Sequence, residues 1–339
     1  MLDIFKSDPF TVFSLTDAIN QVPFVPGHVG RLGLFRARSV NTLSIGIEEK
    51  NGILTLVAPT PRGGPGQTID KSKRNLRMLA VPHFQIDDAI MADEVQGVRA
   101  FGSETELETV MGKVDERMVQ HSQSFDATEE YHRVGAIKGI VTYADGTTLN
   151  LFNAFDVTQE NEIDFDLDNA TPADGILRKK CAAVYRTIAS NLDGVPFGGV
   201  RALCGDAFFD DLIAHKEVRE TYLAQTEASD LRRGYVDSGQ SGVFGTFVFG
   251  DIIWENYRGS VGGQAFVNTD KCHLFPTGAP GLFESVYAPA DYIETVNTMG
   301  KRLYMNQFPM SNNKGIDIEV QSNALQYCKR PKTLMLGKR

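Results

Sequence analysis

Five carboxylates alternate with apolar residues at Glu160, Glu162, Asp164, Asp166 and Asp168. In an extended chain every second side chain points the same way. The spacing therefore predicts a strand with one acidic face and with Ile163, Phe165 and Leu167 on the other. Asp164, Asp166 and Asp168 also match the first ligand positions of an EF-hand calcium loop. Asn169, however, replaces the glycine that loop requires, and Gly175 stands in place of its bidentate glutamate. A solvated or partner-facing strand is the better reading. Opposite charges gather elsewhere: Lys71, Lys73, Arg74 and Arg77 follow Arg62 and the breaker-rich stretch from Pro59 to Gly66.

No arrangement suited to covalent or metal chemistry accompanies these charges. His121 and His132 are eleven positions apart in a helical stretch beside Glu129 and Glu130, so the rings can share a face, but no HExxH occurs and a solvated or core-edge role fits better. Gly239-Gln240-Ser241-Gly242-Val243 approaches the G-x-S-x-G nucleophile elbow and lacks its last glycine. Gly63-Gly64-Pro65-Gly66 is not followed by Lys-Ser or Lys-Thr, and Gly27, Gly30 and Gly33 have the wrong spacing for a dinucleotide turn. Cys181, Cys204, Cys272 and Cys328 form no CxxC pair and read as reduced, buried thiols. The sequence predicts no catalytic residue, no cofactor and no metal site.

The chain that must position these groups has 339 residues, 42% hydrophobic and 23% charged, enough for two or three substructures and a sizeable core. Its formal net charge of -9 excludes a protein that grips nucleic acid over its whole surface. The opening residues interleave Phe and Val with Asp3, Lys6, Asp8 and Asp17, unlike an export signal, and no apolar stretch has the length of a membrane span. A soluble protein made in a cytoplasm is expected.

The first forty residues read as an irregular arm, with one helix candidate capped by Ser14 and Asp17. Leu43, Ile45 and Ile47 alternate into an Asn51-Gly52 turn that returns through Ile53 to Val57, a hairpin. The breakers and cations beyond it suggest an extended flap, too poor in apolar residues for a core of its own and in need of a surface to lie on. Ser103 and Glu106 form a capping box for a helix with Leu107, Val110, Met111, Val114 and Met118 on one face. Unbroken to Lys138 it would run roughly 50 Å, with Ser122 to Thr128 the place for an interruption. A second hairpin turns at Asp145-Gly146, with its return strand running from Thr148 to Phe155. From Pro172 the pattern is mixed: helices around 176–192 and 208–224, a strand near 200–204, a β region over 239–267, and C-terminal strands near 316–320 and 332–336.

Two stretches carry a family likeness. One is Leu43-Ser44-Ile45-Gly46-Ile47 with Gly52-Ile53-Leu54-Thr55-Leu56-Val57-Ala58-Pro59, Pro61-Arg62-Gly63 and Val81-Pro82-His83-Phe84. The other is Tyr287-Ala288-Pro289-Ala290-Asp291-Tyr292, Gly315 to Val320, Gln321-Ser322-Asn323-Ala324-Leu325 and Arg330-Pro331, with Ala324 where proline would be expected. Together with the order of elements they resemble the major capsid proteins of lambda-type tailed bacteriophages, the lambda head protein E family.

The resemblance implies an α+β protein of the HK-ninety-seven-type capsid fold. Its expected parts are an N-terminal arm (1–42), an E-loop (43–86), a P-domain with the spine helix (87–169), an A-domain (170–289) and a C-terminal return to the P-domain (290–339). It also implies self-assembly through hexamers and pentamers into an icosahedral virion capsid enclosing double-stranded DNA without sequence-specific binding. Assembly would occur in the bacterial cytoplasm, with scaffolding, portal and decoration proteins as further partners and no membrane. Two further readings stay open: an encapsulin-like nanocompartment shell of the same fold, and a soluble α/β enzyme using Ser241 or His121. On the shell reading, Arg62, Lys71, Lys73, Arg74 and Arg77 face Glu160, Glu162, Asp164, Asp166 and Asp168 across a subunit interface.

Overall fold

The computed structural model describes residues 12–21, 27–50, 74–95, 110–169, 171–223, 243–261 and 263–339. Its longest element is the helix Val110–Lys138, 29 residues without a break, about 43 Å at the α-helical rise. The polar stretch inside it does not interrupt the ladder. Ser124 and Thr128 turn their hydroxyls back onto the carbonyls of Gln120 and Ser124, at 3.2 and 2.8 Å, which leaves the main-chain bonds in place. The expected capping box at Ser103 lies outside the described residues.

The first half of this helix buries Val114, Met118 and Phe125 against Ile90, Leu303, Met305, Ile318 and Val320. All five residues of that group belong to, or lead into, a three-stranded antiparallel sheet of Tyr304–Pro309, Gly315–Ser322 and Phe84–Met91, with Gly315–Ser322 in the middle. Leu15 and Ile19 of the helix Val12–Gln21 complete this small core. Asn20 Nδ2 donates to the Leu303 carbonyl at 2.8 Å. That helix begins two residues before Ser14, so Ser14 is not its N-cap, and it is seated on its own chain.

The second half of the long helix contributes Val134 and Ile137 to the main core. A six-stranded sheet dominates that core. Its order is Ile163–Asp164, Met335–Lys338, Lys271–Thr277, Gly199–Cys204, Ile252–Tyr257 and Val243–Phe249. Phe165, Phe208 and Trp254 interlock there with ring centroids 5.5 to 5.8 Å apart. Helices Ile176–Asn191 and Asp206–Ala214 bury Leu177, Val184, Ile188, Phe209 and Leu212 in the same core. A further sheet sets Phe35–Ser39 parallel to Phe283–Tyr287, which pairs antiparallel with Ala324–Cys328.

Several expectations change. Phe35–Ser39, expected in the arm, is a sheet strand of the body. Met335–Lys338, expected to return to the long-helix region, pairs with Lys271–Thr277 and Ile163–Asp164. Ser44–Lys50 pairs with Arg74–Ala80, while the expected return 53–57 lies outside the described residues. Ile45, Ile47 and Leu79 of this ribbon join the main core beside Leu151, Phe152 and Phe155. The surface the flap's base lies on is therefore its own subunit. The second hairpin forms as Ile140–Thr142 and Thr148–Asn150, but its expected continuation is a short helix, Leu151–Ala154, capped by the Asn150 side chain.

Candidate functional site

The histidines on the long helix do not converge. His121 Nε2 lies 2.9 Å from Asp88 Oδ2, with Arg117 Nε 3.5 Å from the same oxygen. His132 sits among Phe84 and Tyr143, at ring distances of 5.1 and 5.2 Å. Burial pulls the His132 imidazole down to about 4 and keeps it uncharged. Ser241 lies outside the described residues. All four cysteines are free and buried, and burial raises the thiols of Cys181 and Cys328 to about 12, far from a nucleophile's range. Among the described residues no group of three His, Cys, Asp or Glu is placed to hold a metal ion.

The acidic stretch is not a five-carboxylate strand face. Only Ile163–Asp164 is strand, and Asp166 turns the chain with φ 59°. Its carboxylates meet cations of their own chain. Glu162 lies 2.6 Å from Lys271 Nζ, Asp164 2.8 Å from Lys338 Nζ, and Glu160 3.8 Å from Lys332 Nζ. The Lys338 ammonium, helped by the Asp166 N–H, holds the Asp164 carboxyl below its ordinary range. Asp166 accepts from Asn169 Nδ2 at 3.1 Å, and Asp168 is exposed. On the basic side, Arg77 turns inward and donates to the Ala154 carbonyl at 3.3 Å. Arg74 lies in the ribbon strand. Arg62, Lys71 and Lys73 lie outside the described residues. The predicted contact is one between subunits, and within the subunit three of its acids already meet lysines of their own chain.

What the sequence did not indicate is a buried ionic spine along the long helix. Asp126, Glu129, Glu130 and Arg133 are all buried, though each has the composition of a solvated face. Arg302, from the loop before Tyr304–Pro309, donates to Glu129 Oε1 at 2.8 Å and pairs with Asp126. Arg133 Nη2 reaches Glu129 Oε2 at 2.7 Å. Glu130 accepts from the N–H groups of Val29 and Gly30 at 2.6 and 3.0 Å and from the Tyr257 hydroxyl at 3.2 Å. Gly27 lies so close that a methyl group there would overlap the Glu130 carboxyl. Next to it, His28 Nε2 lies 2.9 Å from Glu255, which also pairs with Arg201. One turn, residues 27–31, is therefore pinned to both the long helix and the six-stranded sheet. Charges this deep are stable only as pairs.

The surface bears apolar groups that a lone subunit leaves in water. Met78 is 61% exposed on the outer side of the ribbon, and Leu43, just before its first strand, is 69% exposed. In the loop after Tyr287, Ile293, Val296 and Met299 are 89%, 62% and 59% exposed. That loop is hydrogen-bonded to itself: the Thr295 hydroxyl shares its one hydrogen between the carbonyls of Ala290 and Tyr292, at 2.8 and 2.9 Å. Loops that hold large apolar side chains outward are the physical mark of protein interfaces.

Comparison with known proteins agrees with this reading. The family model described as phage major capsid protein E matches residues 11–339. The major capsid protein of Pseudomonas phage KPP10 is 28% identical over 346 aligned positions, which cover 97% of each chain. The major capsid protein of Salmonella phage Felix O1 is 26% identical, covering 99% of this chain and 98% of that one. A crystal structure of a protein described as a prophage capsid protein of E. coli CFT073 superposes with a TM-score of 0.54 at 14% identity. It covers 95% of this chain and 94% of the other, a likeness of fold.

Proposed function

This chain belongs to the phage major capsid protein E family, and from that premise we propose how its parts build a shell. It is a capsid shell protein with an α+β, HK-ninety-seven-type fold, and the virion capsid is its location. The observation that carries this is a single family match running from residue 11 to residue 339. Beyond it, our reading is self-assembly through hexamers and pentamers into a closed icosahedral shell around double-stranded DNA, built in the host cytoplasm with scaffolding, portal and decoration proteins as partners. No catalytic step enters this reading.

The parts divide as follows. The helix Val110–Lys138 and the sheet of Phe84–Met91, Gly315–Ser322 and Tyr304–Pro309 serve as the peripheral wall, with residues 87–169 and most of 290–339. The six-stranded sheet and its helices serve as the axial body, mainly 170–289. The ribbon in 43–86 reaches a neighbour, whereas Val12–Gln21, the turn at 27–31 and Phe35–Ser39, all within the expected arm, lie on their own subunit. The exposed Leu43, Met78, Ile293, Val296 and Met299 support this division, since apolar side chains gain most by burial between copies. Arg62, Lys71, Lys73 and Arg74 fit an intersubunit contact made by the ribbon. Glu160, Glu162 and Asp164 are engaged by their own lysines and are not the natural counterpart.

Negative-stain electron microscopy of the purified chain tests the reading: capsomers or closed particles are expected, and a field of isolated subunits at every protein concentration and salt tried counts against it. Nuclease protection of DNA inside particles formed during infection separates a virion shell from a compartment that encloses protein.

A further inference from the structure

Between residues 32–34 and the loop 276–281 a cleft of about 620 Å³ opens beside the strand Phe35–Ser39. Its charged lining residues are two arginines, Arg36 and Arg201, and no carboxylate lines it, although the chain as a whole carries a net charge of -9. Arg201 pairs with the buried Glu255, which fixes its guanidinium and offsets its charge. Arg36 is exposed and has no partner among the described residues. Gly33 and Gly281 stand at the rim, both with φ 63°, and a methyl group on either would meet nothing within 4 Å. Leu32, Leu34 and Phe283 give the cleft an apolar lining. The strand alongside pairs on one side only among the described residues, with Phe283–Tyr287, and its residues 36–39 are exposed.

We propose that this cleft and the open strand edge receive an extended, carboxylate-bearing segment of a second copy of this chain. The proposal rests on the shell reading, which brings copies into contact. Charge complementarity selects the occupant: 43 acidic against 34 basic residues leave carboxylates in excess on every copy, and Arg36 meets no counter-charge among the described residues. The strand edge that is unpaired among the described residues offers main-chain hydrogen bonds to an added strand, and the apolar lining takes its alternate side chains. Nucleic acid fits less well. Phosphate binding needs a concentrated positive field, whereas here one of two arginines is already neutralised and half the lining is apolar.

The test places a benzophenone amino acid at Ala279 on the cleft wall and irradiates assembled particles made from mixed light and 15N-labelled subunits. Mass spectrometry is expected to find an adduct to an Asp- or Glu-containing peptide of another copy. Arg36→Glu should lower its yield by about tenfold, as loss of a close charge pair does. Arg36→Gln should lower it less, and circular dichroism of the subunit should be unchanged in both. An adduct to DNA, an adduct confined to the same copy, or particles that give no adduct overturns the proposal. If the unaltered chain forms no particles, the shell reading fails and this inference with it.

Discussion

Arg302→Met should be among the most damaging single changes on the long-helix face, and its penalty should depend on pH in a definite direction. Arg302 pairs with Asp126 and Glu129, whose side chains are 8% and 3% exposed. Glu129 keeps Arg133 at 2.7 Å when Arg302 is removed, while Asp126 loses the Arg302 guanidinium it meets. Removing one member of a buried ionic cluster costs about 3–5 kcal/mol, because the stranded charge stays desolvated. For a chain of 339 residues, an unfolding entropy of about 2.1 cal/mol/K per residue converts that cost into a Tm lower by about 4–7 °C.

Burial already holds the Glu129 carboxyl above its ordinary range, and losing Arg302 pushes it further up. The folded subunit then takes up this proton more readily than the unfolded chain. Stability from Glu129 is therefore present at acid pH and lost as pH rises through its folded-state value. Urea titration of the unassembled subunit should show the Arg302→Met penalty full at neutral pH and shrinking toward acid. Adding Glu129→Gln should recover part of it. A penalty below about 1 kcal/mol, the scale of an exposed pair, or one that grows toward acid, would refute the buried-cluster account.

Gly27→Ala should displace the Glu130 carboxyl and lower stability by about 1–3 kcal/mol, the cost of unpaired buried hydrogen-bonding groups. Hydrogen exchange at the Val29 and Gly30 amides should accelerate, and unchanged protection there would show that Glu130 does not pin the turn. His132 has a folded-state value near 4 against an ordinary 6.5, so its contribution is present above about 6.5 and lost as pH falls from there toward 4. His132→Phe should therefore flatten the acid side of the stability profile over that window, with an unaltered profile arguing against the buried neutral ring. Lys73→Glu with Arg74→Glu should leave the subunit folded but slow assembly as followed by light scattering, and added salt should slow the unaltered chain too. Adding Asp164→Lys and Asp166→Lys should not restore the rate, because Asp164 already belongs to Lys338. Restoration would revive a contact between the two patches.

Local periodicity made much of the fold legible. The apolar face of the long helix, the alternation that buries Ile45 and Ile47 but leaves Leu43 exposed, and the Asp145-Gly146 turn each state their structure within a dozen residues. What sequence hid was pairing at long range. Ile45 stands opposite Leu79, and the lysines that meet Glu160, Glu162 and Asp164 lie more than a hundred residues on. Nothing local marks Asp126, Glu129 and Glu130 as buried, because Arg302 and the turn at Val29, which they meet, are equally remote. They lie where the helix passes from one core to the other and is enclosed on several sides, which its own periodicity does not state.

Cryo-electron microscopy of particles formed by the purified chain tests the central claim most directly. The account predicts closed shells whose subunit density contains one unbroken helix over Val110–Lys138 in the wall, with the ribbon from Ser44–Lys50 and Arg74–Ala80 lying against a neighbouring subunit. Particles in which that ribbon touches only its own subunit would contradict the assembly proposed for it, and a chain that remains monomeric under all assembly conditions would contradict the shell function itself.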